Sequence, residues 1–206
     1  MSCPWIRSGL YFVYKLRWCS RDELRWFSGF DKYEIVNVSE DNVTVKLTEL
    51  RRDEEERVLY YLIDPVTRKI IKKAKETVTK PLFFGLWIEP TVRRGDKLRI
   101  SDMLLVVSGR EEIKTVVGRR MCKILEGERL EDGLIVLYQY HYDEVMNLLM
   151  RVTMKRRDKI AFQAELYDTN LEFSRNTEHY LVCPFCGAQM PIVAKYCGLC
   201  GAKLSK

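Results

Sequence analysis

A two-residue alternation of apolar and polar side chains runs through most of this 206-residue chain, from about residue 9 to about residue 168. A strand whose side chains switch faces at every residue presents one row to a core and the other row to water. The alternation is typical of half-buried antiparallel strands, and it predicts an all-β domain over residues 1–178. The clearest alternating segments are residues 10–18, 43–47, 150–154 and 160–166.

Turn residues separate the alternating segments and set the number of strands. Between these turns, about ten to twelve strands fit. Two segments, residues 58–63 and 134–142, are apolar on both faces, so we expect them to be central in the sheet or covered. The turn signals are Glu40-Asp41-Asn42, Asp64-Pro65, Gly95-Asp96, Gly109, Gly118, Asp132-Gly133 and Arg157-Asp158.

One short segment fits two structures. Ser20-Arg21-Asp22-Glu23 has the form of a capping box, which is typical of the start of a short helix, here through Phe27. The same residues fit a hairpin turn that is followed by a strand. The sequence leaves both interpretations open.

A weak internal repeat divides the β-domain into two related halves, at about residues 9–78 and 91–168, with an aromatic connector between them. Residues 58–64 read Val-Leu-Tyr-Tyr-Leu-Ile-Asp, and residues 137–143 read Leu-Tyr-Gln-Tyr-His-Tyr-Asp. In both, an apolar strand ends at an aspartate, and an apolar segment returns after a turn. We expect these aspartates to bond to the backbone of their own turns, which requires no catalytic role.

These hairpins resemble uncharacterised archaeal β-domains in which similar hairpins build a strongly curved antiparallel sheet. The residues Phe-Gly-Leu-Trp-Ile-Glu-Pro at 84–90, ahead of Gly95-Asp96, belong to the same resemblance. Curved sheets of the lipoprotein-carrier kind are a more distant comparison. The resemblance implies a strongly curved sheet or half-barrel with two related halves.

The end of the chain carries two matched cysteine pairs, each of the form C-x2-C. A glycine follows each pair, and it frees backbone N–H groups to point at sulfur. Two such turns facing each other form a tetrahedral cage of four thiolates, the arrangement that Zn²⁺ prefers in closed structural sites. The pattern therefore predicts one structural Zn²⁺. Its ligands are Cys183, Cys186, Cys197 and Cys200.

The same segment resembles the short zinc ribbons with rubredoxin-type knuckles that end many archaeal and bacterial proteins. The resemblance covers about residues 181–206 and implies a structural metal without a catalytic water. Two disulfides, or a redox-active C-x-x-C, are the alternatives, and the matched pairs with knuckle glycines disfavour both. Iron in the same cage is a minor alternative. The matching residues are Pro184, Gly187, Ala194-Lys195-Tyr196 and Gly201-Ala202-Lys203-Leu204.

Composition adds expectations about compartment and charge. No apolar leader and no stretch of about 18 uncharged apolar residues is present, so we expect no export signal, no membrane span and a cytoplasmic location. Charged residues make up 31% of the chain, which suits a thermophile. The formal charge is +6, but basic and acidic runs alternate, which is more typical of a solvated surface than of a phosphate track. Cys3, Cys19 and Cys122 are expected to be buried small hydrophobes.

The sequence contains no catalytic motif, so we expect the protein not to be an enzyme and name no catalytic residue. His141 lies in an aromatic strand, and His179 precedes the first ribbon cysteine; neither is expected to act as a base or ligand. Most aromatic residues fit the inward positions of strands. The exceptions, which we expect to find exposed if any aromatics serve recognition, are Trp5, Trp26, Phe27, Phe30 and Phe83-Phe84-Trp87.

Three functions fit these features. The favoured one is a non-enzymatic binding or adaptor protein, whose zinc ribbon docks a protein or nucleoprotein partner. The second is an RNA-, DNA- or ribosome-associated factor that uses Lys195, Lys203 and the knuckle backbone. The third is a carrier of an apolar ligand in the curved sheet. Whether aromatic and basic side chains gather on one exposed face or disperse is the feature that distinguishes these functions.

Overall fold

Eleven antiparallel strands form one open sheet in the first of two units, Met1–Leu171, and the second unit is Glu172–Lys206. The computed structural model describes residues 6–19, 25–52, 54–65, 70–74, 85–100, 103–173, 180–182, 189–191, 196 and 202–203. The prediction of an all-β domain is confirmed, because these residues contain strands and turns but no helix. Within them there is accordingly no helix of the length and apolar character that a membrane crossing needs.

Successive strands pair as antiparallel hairpins, except where the chain crosses from one edge of the sheet to the other. The first five are β1 (Tyr11–Cys19), β2 (Trp26–Val38), β3 (Val43–Arg51), β4 (Arg57–Ile63) and β5 (Ile70–Ala74). The next six are β6 (Lys97–Ile100), β7 (Met103–Thr115), β8 (Gly118–Glu131), β9 (Leu134–Asp143), β10 (Leu149–Arg156) and β11 (Lys159–Thr169). Their order across the sheet is β5-β4-β3-β2-β1-β11-β10-β9-β8-β7-β6. The chain thus starts in the middle of the sheet, steps out to one edge, resumes at the opposite edge and returns to pair β11 with β1.

The alternation in β1 shows how the sequence places the core. Phe12, Tyr14 and Leu16 point to one face and are 0%, 0% and 2% exposed. Tyr33 on β2 lies opposite Phe12, and Ala164 on β11 lies opposite Leu16, and both are buried on the same face. The intervening positions of β1 are half-buried or exposed. Burial of one face only is the physical reason for the two-residue period.

Most predicted turns lie between strands, as at Gly95 and Gly133, and Gly118 is the first residue of β8; all three glycines have positive φ. The prediction of a turn at Gly109 is wrong. Gly109 lies inside β7, where the register with β8 shifts between Val107 and Gly109, so the glycine accompanies a bulge rather than a chain reversal.

The two strands that are apolar on both faces differ in their surroundings. β9 lies inside the sheet, and Tyr138, Tyr140 and Tyr142 are buried, so the prediction for this segment is confirmed. The prediction is wrong for β4, which is second from an edge, and whose Val58 and Tyr60 are 40% and 43% exposed. Periodicity does not distinguish a covered face from an exposed apolar face.

Two paired strands, β1 and β2, flank the ambiguous segment. β1 ends at Cys19, β2 begins at Trp26, and these two residues pair in the antiparallel register. The hairpin interpretation is thereby favoured over the short helix, although residues 20–24 lie outside the described part of the chain.

The described part of the aromatic connector packs into the core. Leu86, Trp87 and Ile88 are at most 3% exposed, and the Ile88 N–H donates to the Asn147 carbonyl at 2.9 Å. The Trp87 indole N–H donates to the Pro65 carbonyl at 3.4 Å, just after β4. One connector therefore contacts both the β4 end and the β9–β10 turn.

The described residues of the second unit form two short antiparallel pairings. Strand β12 (Tyr180–Val182) pairs with β13 (Gln189–Pro191), and Tyr196 forms an isolated bridge with Lys203. The side chains of Tyr196 and Lys203 are exposed.

Candidate functional site

Aromatic rings and arginines gather at one end of β1, β2 and β3. Trp18 on β1 lies opposite Phe27 on β2, and their rings stack with centroids 5.9 Å apart and an interplanar angle of 18°. Trp26 is the next residue along and points to the other face of the sheet. It is 46% exposed, so a large flat ring stands open to solvent beside the stacked pair.

Three arginines cover these rings. The guanidinium of Arg17 lies 5.2 Å from the centroid of Trp26, that of Arg25 lies 5.8 Å from Phe27, and that of Arg51 lies 5.5 Å from Trp18. Such contacts are attractive because the face of an aromatic ring is electronegative. They hold flat cationic groups against flat rings at the surface.

The three rings and two of these arginines, Arg25 and Arg51, line a cleft of about 380 Å³, called here the aromatic–arginine cleft. Three arginines and one glutamate face it, so the lining is positively charged. Apart from Trp18, Phe27 and Arg51, the lining residues are exposed. The residues that line it are Trp18, Arg25, Trp26, Phe27, Ser28, Arg51, Arg52 and Glu54.

Of the three arginines that cover the rings, Arg51 is the most firmly held. Its Nη2 lies 2.7 Å from Asp31 Oδ1 and 3.7 Å from Glu49 Oε1, while its Nη1 donates to the Phe30 carbonyl at 2.9 Å. Gly29 lies directly opposite Arg51 in the β2–β3 register. A Cβ there would stand only 2.9 Å from Arg51 Cδ and 2.8 Å from the Leu50 carbonyl oxygen, so the glycine makes room for the arginine side chain.

Asp31 anchors Arg51 from the buried side of the cleft. Its exposed fraction is 5%. Burial raises the pKa of the Asp31 carboxyl to about 6, although Arg51 partly offsets this shift by stabilising the carboxylate. Burial also raises the pKa of Tyr33, and Asp31 adds to that effect. A carboxyl that titrates this close to neutrality therefore sits behind the cleft wall.

A second arginine–aspartate pair lies far along the sheet order, between β8 and the end of β9. Arg120 Nε donates to Asp143 Oδ2 at 2.7 Å, and both side chains are buried, at 4% and 1% exposure. Asp143 Oδ1 also accepts from the N–H groups of Val145 and Met146, at 3.0 and 2.6 Å. The expectation that Asp143 bonds to its own turn is confirmed, and this pair has a structural role.

Of the remaining chemical candidates, His141 and Cys122 are buried in the sheet, Cys19 is half-buried, and two lie outside the described residues. His141 is 2% exposed; its Nε2 lies 3.0 Å from Glu111 Oε2, and burial lowers the pKa of its imidazole. Cys122 is buried as expected, and burial raises the pKa of its thiol. Cys19 is only half-buried, because β1 ends there, so the expectation of full burial is wrong for this residue. Cys3 and His179 lie outside the described part.

All four predicted zinc ligands, Cys183, Cys186, Cys197 and Cys200, lie outside the described residues. Their neighbours in the chain are described. The first cysteine pair falls between Val182 and Gln189, which pair in the β12–β13 register, and the second falls between the bridged residues Tyr196 and Lys203. Among the residues that the structure does describe, no group of three or more His, Cys, Asp or Glu is placed to hold a metal.

The sequence identified only part of the cleft. Trp26 and Phe27 were named as aromatics that do not fit the core pattern, and both line it. Phe30 is half-buried, and Trp87 is buried by the connector contacts, so neither is an open ring. Trp5, Phe83 and Phe84 are not described. Sequence reasoning missed Trp18 and the arginines; the available signal was Arg51, a charged residue at an inward position of β3.

Comparison with known proteins identifies no family. No protein-family model and no curated protein matches the chain. One solved structure with similarity is a protein of Bacteroides fragilis with a YmcC-like fold. It has a TM-score of 0.47 and 8% sequence identity, over 80% of this chain and 97% of that chain. Similarity at this level does not identify a function.

Proposed function

We propose that this protein is a non-enzymatic binding protein that holds a segment of single-stranded nucleic acid in the aromatic–arginine cleft. The observation that carries the proposal is the gathering of exposed and half-buried rings with arginines at one end of the sheet. Sequence-tolerant binding of single strands combines aromatic platforms for the bases with a positively charged groove for the phosphates.

Each part of the cleft has a role in this proposal. Trp26, with the most exposed ring, stacks on a base, and Phe27, whose side chain points to the opposite face of the sheet, supplies a separate ring for a neighbouring base. Arg25 and Arg52 contact phosphates at the rim. Arg51 contacts the nucleic acid from the wall of the cleft, where Asp31 and the Phe30 carbonyl position its guanidinium. The phosphate contacts carry most of the affinity and make it sensitive to salt.

The second unit, in this proposal, is a zinc ribbon with one structural Zn²⁺ held by Cys183, Cys186, Cys197 and Cys200. The two antiparallel pairings that flank the cysteine pairs support it, because each pairing brings together the ends of the loop that carries two thiolates. Zinc orders a segment that is too small for an apolar core of its own. Exposed Tyr196 and Lys203 give the ribbon a ring and a cation of its own at the surface.

The sheet, in this proposal, is strongly curved, as a half-barrel. The Trp87 contacts support curvature, since a single connector reaches the end of β4 and the β9–β10 turn. Strands β4 and β9 lie far apart in the sheet order. If the sheet were flat, a single residue could not contact both the end of β4 and the β9–β10 turn.

The test of the cleft is binding of a fluorescent single-stranded oligouridine, followed by anisotropy at several salt concentrations. We expect log affinity to fall linearly with log salt. Trp26→Ala should weaken binding about tenfold or more, because stacking contributes about 1–3 kcal/mol per base. Tyr60→Ala is the matched control, since Tyr60 is a similarly exposed aromatic on β4, outside the cleft lining. Equal losses in both variants, or no binding at low salt, would rule the proposal out.

Purification of the native protein at low salt separates this function from the other two. Co-purifying RNA or DNA supports the nucleic-acid proposal. A stoichiometric protein partner without nucleic acid favours the adaptor, and an extracted lipid-like molecule favours the carrier. Metal analysis of the same preparation tests the ribbon. We expect one Zn²⁺ per chain in the wild type and none in a double variant that carries Cys183→Ser and Cys197→Ser.

A further inference from the structure

Arg51 belongs to two environments at once. On one side its Nη2 lies 2.7 Å from Asp31 Oδ1, and on the other its guanidinium covers the ring of Trp18 in the cleft wall. The arginine side chain keeps 20% exposure, whereas the aspartate side chain keeps only 6%. A ligand in the cleft can therefore reach the guanidinium but not the carboxylate that holds it.

The groups around Asp31 determine what happens when Arg51 leaves. Across the two strand pairings, Tyr14 on β1 and Glu49 on β3 lie opposite Asp31. Tyr33 on the same strand and Tyr61 on β4 lie within electrostatic range of Asp31. The charged neighbours are Arg51 and Glu49, and Glu49 has a second cation, Arg57, at 3.6 Å. Without Arg51, the buried Asp31 carboxylate would face Glu49 with its main stabilising charge removed.

We propose that a phosphate of the bound strand takes Arg51 over from Asp31, and that Asp31 takes up a proton from solvent in exchange. This inference rests on the proposed function of the cleft. The exchange involves no covalent step: one ion pair is replaced by another, and the proton neutralises the carboxylate left behind. A buried carboxylate without its partner is costly, and protonation removes most of that cost.

The exchange makes binding depend on pH with a definite sign. In the free protein the pKa of Asp31 is about 6 with Arg51 still in place, and pairing with Arg51 lowers it. Loss of Arg51 must therefore raise the pKa further. Between these two values the complex holds more protons than the free protein, so affinity falls as pH rises from about 6. Uptake of one proton corresponds to at most about a tenfold change in affinity per pH unit.

The experiment measures the dissociation constant for oligouridine from about pH 6 to about pH 8, because uracil does not titrate in that range. Three proteins are compared: wild type, Asp31→Asn and Glu54→Gln. We expect wild-type affinity to weaken with rising pH, up to about tenfold per unit. Asp31→Asn should bind with nearly constant affinity, near the wild-type value at the acid end. Glu54→Gln removes an exposed carboxylate of the same cleft and should keep the wild-type slope.

A second measurement needs no variant. Calorimetric titrations of wild-type protein with oligouridine in two buffers of different ionisation enthalpy report the protons taken up on binding. Uptake approaching one proton near pH 7 supports the exchange. Tight, salt-sensitive binding with no proton uptake and no pH slope overturns the exchange while leaving the cleft as the binding site. Absence of binding at low salt at every pH overturns both.

Discussion

Two arginine–aspartate pairs in the sheet have the same closest distance, 2.7 Å, but very different surroundings. Arg120 and Asp143 are both buried, and the second carboxylate oxygen of Asp143 accepts two backbone N–H groups of its own turn. Arg51 is partly exposed, lies against Trp18 in the cleft and shares its charge between Asp31 and Glu49. The first pair is enclosed and both of its carboxylate oxygens accept hydrogen bonds, whereas the second is open on the arginine side.

The difference separates a structural ion pair from an exchangeable one. A buried pair whose hydrogen bonds are all made has nothing to gain from a new partner, and its rupture leaves a buried charge. A pair that is open on one side offers its cation to a ligand, provided that the remaining carboxylate can be neutralised. The N–O distance alone does not distinguish the two ion pairs. The burial of the arginine and the other hydrogen bonds of the carboxylate distinguish them.

The largest effect is expected at the enclosed pair. Arg120→Ala should lower the free energy of unfolding by about 3–5 kcal/mol, because Asp143 would be left buried without its cation. Chemical denaturation followed by far-ultraviolet circular dichroism measures the loss.

One control variant and one comparison variant sharpen this result. Arg119→Ala, at the exposed neighbour whose side chain is 76% accessible, should cost less than about 0.5 kcal/mol. Arg51→Ala should cost less than Arg120→Ala, since Asp31 can take up a proton. If Arg51→Ala and Arg120→Ala destabilise the protein equally at neutral pH, the contrast between the pairs is wrong.

The open pair should respond to pH in the unbound protein. Asp31 has a folded-state pKa of about 6, above its ordinary value of 3.8. Its contribution to stability is therefore complete below pH 3.8 and is lost as pH rises through about 6. The total is at most about 3 kcal/mol. Unfolding measured across this range should show wild type losing stability relative to Asp31→Asn as pH rises. A constant difference between the two proteins would contradict the shifted pKa.

The fold was largely predictable from sequence because its main signal is local. In β1, the burial of Phe12, Tyr14 and Leu16 against one face imposes the period that the residues show. Asp143 was assigned to its turn because it bonds two and three residues ahead. Gly109 was misplaced because a glycine signals a turn and a bulge equally well.

The cleft was harder to predict because its partners are distant in sequence. Asp31 and Arg51 meet only through the β2–β3 register, and Trp18 reaches Arg51 across β2. Neither register is visible in a single sequence, so the sequence did not predict the contacts of Arg51 with Asp31 and Trp18. The zinc ligands are a contrasting case, since the C-x2-C spacing is itself the signal, and their assignment stays a prediction.

The smallest effect is expected at His141, close to the enclosed pair, and it has the opposite sign to that of Asp31. Burial lowers the pKa of the His141 imidazole below its ordinary value of 6.5, and Glu111 only partly offsets this. A lowered folded-state pKa gives stability that is present above pH 6.5 and is lost as pH falls through the folded value. Wild type should therefore lose stability relative to His141→Gln on acidification, whereas the contribution of Asp31 to stability increases as pH falls. The ring-proton resonance of His141, identified by its absence in that variant, should titrate below 6.5 in the native state. Glu111→Gln should lower the midpoint further, because Glu111 is the largest influence that raises this pKa; an unchanged midpoint would show that the 3.0 Å contact does not persist in solution.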